Sequence, residues 1–65
     1  MLRLKRKKLM LSQIDVSKAL GINNTYLSLI ENKKRIHLNK ILFSKICDIY
    51  HISPEELKTF LKKDN

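Results

Sequence analysis

The stretch LSQIDVSKALGINNTYLSLIEN, residues 11–32, decides how this chain is read. A helical pattern runs over about Gln13–Leu20, with Ser12 placed as an N-cap. Val16 and Leu20 mark its inner face, with the small Ser17 beside them. The pattern stops at Gly21, the only glycine in the chain. A glycine there suits a left-handed helix end, where a Cβ would cost energy. A second helix begins almost at once, over about Asn24–Asn32, with Asn23 as its cap. Leu27, Ile30 and Tyr26 point inward. Asn24, Thr25, Ser28 and Leu29 share the opposite side, so the helix restarts on residues that face a partner rather than a core.

Two short helices joined by a tight glycine turn can dock at a steep angle. That is helix-turn-helix geometry, in which the second helix sends its N-terminal residues into the major groove of DNA. The rest of the chain reads as three more helices. The first covers about residues 2–10, where Leu2, Arg6 and Leu9 fall at i, i+4 and i+7. A basic loop, Lys33-Lys34-Arg35-Ile36-His37, follows the second helix of the pair. Another helix covers about 39–51, with Leu42, Phe43, Ile46, Cys47, Ile49 and Tyr50 on a broad apolar face. The last covers about 54–63. It opens on Ser53-Pro54-Glu55-Glu56, which supplies an N-cap, a proline at the first helical position and a capping-box glutamate. No segment alternates with period two. The expected fold is therefore all-α: one compact five-helix domain, residues 1–65.

Size and composition set bounds. A 65-residue chain has a core worth only ~3–5 kcal/mol without help. Its single cysteine excludes an internal disulfide and fits a reducing, cytoplasmic setting. No apolar run reaches the ~18 residues of a membrane span. The opening MLRLKRKK is basic, but LMLSQIDVSK after it is too polar for a signal peptide, so no targeting segment is expected. Net charge is +8, and it is unevenly placed. Residues 1–45 carry eleven Lys or Arg against two acids, whereas residues 46–65 carry three Lys against four acids. A basic two-thirds implies a polyanionic partner.

Here the sequence resembles a family. LSQIDVSKALGINNTYLSLIENKKR looks like the Cro/phage-repressor (Xre-like) helix-turn-helix, a lambda-repressor-like fold, and the likeness spans about residues 2–57. Its marks are Gln13 opening the second helix, Ser17 where the family usually carries alanine, Gly21 at the turn, Leu27 and Ile30 in the core, and Glu31-Asn32 closing the third helix. Two departures stand out. Lys33 occupies the place of a usual glycine, with Asn32 able to take the left-handed conformation instead. The proline before the fourth helix is absent.

The resemblance implies roles. Base readout falls to Asn24, Thr25, Ser28 and Leu29. Asparagine can bond adenine N6 and N7 together, and threonine can use its hydroxyl or its methyl. Leu29 either touches a thymine methyl or is a lone exposed apolar residue. Gln13 resembles the residue that bonds a phosphate and braces the recognition helix. Ser12 and Asn23 are caps that can also meet the DNA backbone. Tyr26 is both a hydroxyl for a phosphate and an aromatic at the core edge. Lys33, Lys34, Arg35 and Lys40 are placed over phosphates, contacts that position a protein without reading sequence. Arg6 and Glu31 are expected to form a structural ion pair. Tyr50, Ile52, Phe60 and Leu61 suggest a dimer surface, since proteins of this kind bind palindromic sites as two-fold dimers.

Other chemistry finds little support. Cys47, His37 and His51 do not match structural zinc spacing, so no metal is expected. No nucleophile–base pair or carboxylate pair is visible, and neither an enzyme activity, a cofactor nor a small-molecule ligand is expected. The leading reading is a sequence-specific double-stranded-DNA-binding transcriptional regulator, most simply a dimeric repressor. The rival is an antitoxin-like protein-interaction module in which DNA binding is secondary.

Overall fold

A computed structural model describes residues 1–62. It contains five helices: α1 Leu2–Lys8, α2 Gln13–Leu20, α3 Asn24–Glu31, α4 Lys40–Tyr50 and α5 Pro54–Leu61. There is no strand among the described residues. The end expected for the last helix, at residue 63, lies outside them.

Each of the four later helices starts on a side chain that takes up an orphan backbone N–H. Ser12 accepts from Asp15 N at 3.0 Å, Asn23 from Tyr26 N at 2.7 Å and Asn39 from Leu42 N at 2.8 Å. Ser53 accepts from Glu56 N, while the Glu56 carboxylate accepts from Ser53 N, both at 3.1 Å. Such caps contribute about 1 kcal/mol each. Asn39 therefore precedes α4 rather than opening it.

The helix ends share a device that the sequence showed only once. The chain turns left-handed at Met10, Gly21, Lys33 and His51, with φ of 59°, 74°, 60° and 53°. The next N–H then reaches back five residues: Leu11 to Arg6 O, Ile22 to Ser17 O, Lys34 to Leu29 O and Ile52 to Cys47 O. This bond satisfies a carbonyl that the helix leaves open. It also shortens α1, expected to reach residue 10, to end at Lys8. The left-handed residue after α3 is Lys33, not Asn32, whose φ is −97°. Asn32 instead turns its side-chain amide onto Ser28 O at 2.9 Å.

The helices enclose one cluster. Leu2 of α1, Val16 and Leu20 of α2, Leu27 and Ile30 of α3, Ile46 and Tyr50 of α4, and Leu57 of α5 are all buried. Helix α4 packs on α1, α2 and α5, and α2 packs on α3. The expected dimer surface is corrected at this point. Tyr50, Ile52, Phe60 and Leu61 retain 1%, 8%, 6% and 7% of their exposure, so they are core. The apolar residues of α5, Leu57, Phe60 and Leu61, are all spent inward. Cys47 is also in the core, where burial and then the neighbouring Asp48 push its thiol above the ordinary range.

Candidate nucleic-acid interface

The site begins with the turn at Gly21. The space where its Cβ would stand is open, so glycine is there for its φ of 74° and not for close packing. That turn lets α3 leave α2 with Leu27 and Ile30 buried and its first residues outward. Asn23, Asn24 and Thr25 are exposed. Ser28 is half-buried, and its hydroxyl accepts a 3.3 Å bond from the Asn32 amide. Leu29 keeps 39% of its surface. The N-terminal turn of α3 thus offers two unencumbered polar side chains, with Ser28 and Leu29 one turn further on.

Behind this surface stands a buried polar hub. Arg6 Nε donates to Glu31 Oε2 at 2.8 Å, and Arg6 Nη2 to Glu31 Oε1 at 3.3 Å. Gln13 Nε2 donates to Glu31 Oε1 at 3.3 Å, and the Tyr50 hydroxyl to Glu31 Oε2 at 2.8 Å. Arg6 Nη1 also caps the carbonyl of Leu11 at 3.1 Å. One carboxylate at the end of α3 therefore accepts from α1, α2 and α4. Burial pushes the Glu31 carboxyl up, but the bonds from Arg6, Tyr50 and Gln13 outweigh it, and its pKa is lowered. The bond to Glu31, set against burial, raises Arg6. Burial and then the bond to Glu31 hold the Tyr50 phenol far above its ordinary range. No buried side-chain polar atom among the described residues lacks a partner.

Gln13 lies where the hub meets the surface. Its amide nitrogen carries two hydrogens, and one goes to Glu31. The other is available to an anion beside the N-terminus of α2, where the helix dipole also favours negative charge. The basic loop has structure of its own. The Arg35 guanidinium lies 5.2 Å from the centre of the Tyr26 ring, and Lys33 Nζ lies 5.2 Å from that of Phe60. These stacks hold the loop against α3 and α5. Lys34 and Lys40 are exposed.

Sequence reasoning missed three features of this site. Tyr50, expected on the apolar face of α4 and at a dimer surface, is the third partner of Glu31. The signal was available: a tyrosine on the buried face of a helix must satisfy its hydroxyl. Asn32, able to take the left-handed conformation, instead caps α3 with its side chain. The cation–π stacks of Lys33 and Arg35 left no trace, because they join residues across a loop of unforeseen shape.

An all-helical domain with a glycine-turned helix pair, an exposed polar N-terminus on the second helix and flanking cations defines a class of DNA-binding protein. A scan of protein families matches the helix-turn-helix family over residues 2–57, and the chain belongs to that family. Comparison with curated proteins and with solved structures returned no significant match. The match is of the Cro/C1 type, Xre-like, a family of DNA-binding transcription regulators and not of enzymes. Its members bind double-stranded DNA. Among the described residues no helix is long and apolar enough to cross a membrane.

Proposed function

We propose that this protein is a small sequence-specific repressor that occupies a palindromic operator as a dimer, inside the cell and on DNA. The observation that carries the reading is the exposed N-terminal turn of α3, with Asn24 and Thr25 exposed and making no side-chain hydrogen bond among the described residues. In this reading α3 enters the major groove. Asn24 and Thr25 take base edges, Ser28 reaches a base once its bond to Asn32 yields, and Leu29 lies against a thymine methyl. Ser12, Gln13 and Asn23 meet one side of the phosphate backbone, and Tyr26, Lys33, Lys34, Arg35 and Lys40 the other. The hub at Glu31 makes this workable, because it fixes the angle of α3 against the helix ends that hold the phosphates. Repression then needs only occupancy of a promoter.

Selection of bound duplexes from a random pool tests this reading. The expected product is a two-fold repeat with half-sites centred ~34 Å apart, one helical turn. An unrepeated site would remove the dimer from the proposal. Recovery of no consensus would remove sequence specificity.

A further inference from the structure

Away from α3, the loop 32–39, α4 and α5 frame two shallow grooves that run together, sharing Leu38, Phe43 and Lys58 as walls. Ile36, Leu38 and Phe43 pack on the core yet stay half-exposed. They give the grooves an apolar floor. The rim is cationic: Lys58 and Lys62 border one groove, Lys40 and Lys58 the other, and among the described residues Asp48 is the single acid lining them. Among the described residues none of these three lysines has an ion-pair partner, the one salt bridge being Arg6–Glu31.

We propose that this groove docks an apolar, acidic segment of another protein, most simply one turn-and-a-half or more of amphipathic helix bearing Glu or Asp beside its Leu, Ile or Phe. The argument is complementarity. An apolar floor needs apolar side chains, and a rim of three lysines against one acid needs carboxylates. DNA would satisfy the lysines and leave Ile36, Leu38 and Phe43 facing phosphate and water. A second copy, paired groove to groove about a two-fold axis, would set each lysine rim against its own like charge. The inference goes beyond the DNA-binding reading and does not rest on it, since the docking needs no DNA.

The test uses the whole chain without DNA. The probe is a fluorescein-labelled peptide of about 14 residues, roughly four helical turns, with Leu at i, i+3, i+4 and i+7 and Glu on the flanking positions. Its controls carry Gln or Lys for every Glu. The Glu peptide is expected to bind at least ~10-fold tighter than the Gln peptide, and the Lys peptide not at all. Backbone amide shifts on binding should concentrate in residues 36–43 and 58–61. The variant Lys58→Glu, Lys62→Glu changes exposed residues only and should keep its thermal unfolding midpoint while losing at least ~10-fold in affinity. Equal binding of the Glu and Gln peptides overturns the proposal. So do shifts concentrated in residues 24–35, which would place the peptide on the basic face around α3. Sedimentation is run on both chains. Dimerisation that tightens in the Lys58→Glu, Lys62→Glu variant would give this face to a second copy and also overturn it.

Discussion

The carboxylate of Glu31 collects hydrogen bonds from Arg6, Gln13 and Tyr50, at 2.8 to 3.3 Å. Removing it strands a buried guanidinium, an error worth roughly 3–5 kcal/mol. That matches the whole stability a core of this size supplies, so Glu31→Ala should be largely unfolded at 25 °C by circular dichroism. Tyr50→Phe deletes one bond to a charged acceptor and leaves Arg6 in place. It should cost about 1.5–3 kcal/mol in urea unfolding and keep the fold. A Tyr50→Phe chain as stable as the parent would show that the hydroxyl adds nothing to the hub. The same residues, with Cys47, set the pH range. Glu31 is depressed on folding, so its contribution is present above its ordinary value of 4.5 and is lost as pH falls through the folded value. Tyr50 and Cys47 are both raised on folding, so their contributions are present below 10.0 and 9.0 respectively and are lost as pH climbs above those values. Unfolding free energy measured against pH should therefore form a plateau between these limits and fall on both sides.

At the scale of the helix, the ends carry more information than the middles. Three N-caps announced themselves in the sequence, because Ser12, Asn23 and Ser53 stand just before an apolar period and their oxygens are short enough to bond their own backbone. Asn39 was legible as a boundary and misread by one residue for the same reason. The C-terminal ends were legible only at Gly21. Met10, Lys33 and His51 take the same left-handed conformation without a glycine to mark it. A β-carbon in that region costs about 1–2 kcal/mol, and a glycine recovers part of this after its own entropy is counted. Met10, 91% exposed, makes the cleanest test. Met10→Gly should raise stability by about 0.5–1 kcal/mol, and Gly21→Ala should lower it by about 1 kcal/mol although the added methyl meets nothing. Both are read by urea unfolding, and opposite signs for the two substitutions are required. The pattern turns Leu57, Phe60 and Leu61 of α5 inward, as found, but burial leaves no exposed remainder of that stripe for a dimer surface. Periodicity finds an apolar face but does not say how much of it a small domain keeps for itself.

Over the whole molecule, the sequence carries its charge unevenly: a basic region over residues 1–45 and a near-neutral remainder. The Arg6–Glu31 pair was legible in the sequence; what the sequence withheld was Tyr50, which ties that pair to α4. The described residues extend 31 × 20 × 20 Å. If about five phosphates are neutralised per subunit, log affinity against log salt should fall with a slope of about −4 to −5 per subunit. Lys34→Ala should reduce that slope by about 1 and weaken all duplexes alike.

Fluorescence anisotropy on two duplexes shows whether α3 reads bases. The duplexes are the DNA upstream of the protein's own gene and a scrambled duplex of equal length, each at two salt concentrations. The parent is compared with an Asn24→Ala, Thr25→Ala variant, whose exposed substitutions leave the hub and core intact. The predicted result is upstream binding at least ~10³-fold tighter than scrambled at physiological salt, with that margin lost in the variant and weak, salt-sensitive binding retained. Two duplexes bound alike by the parent, with no effect of the variant, would contradict it.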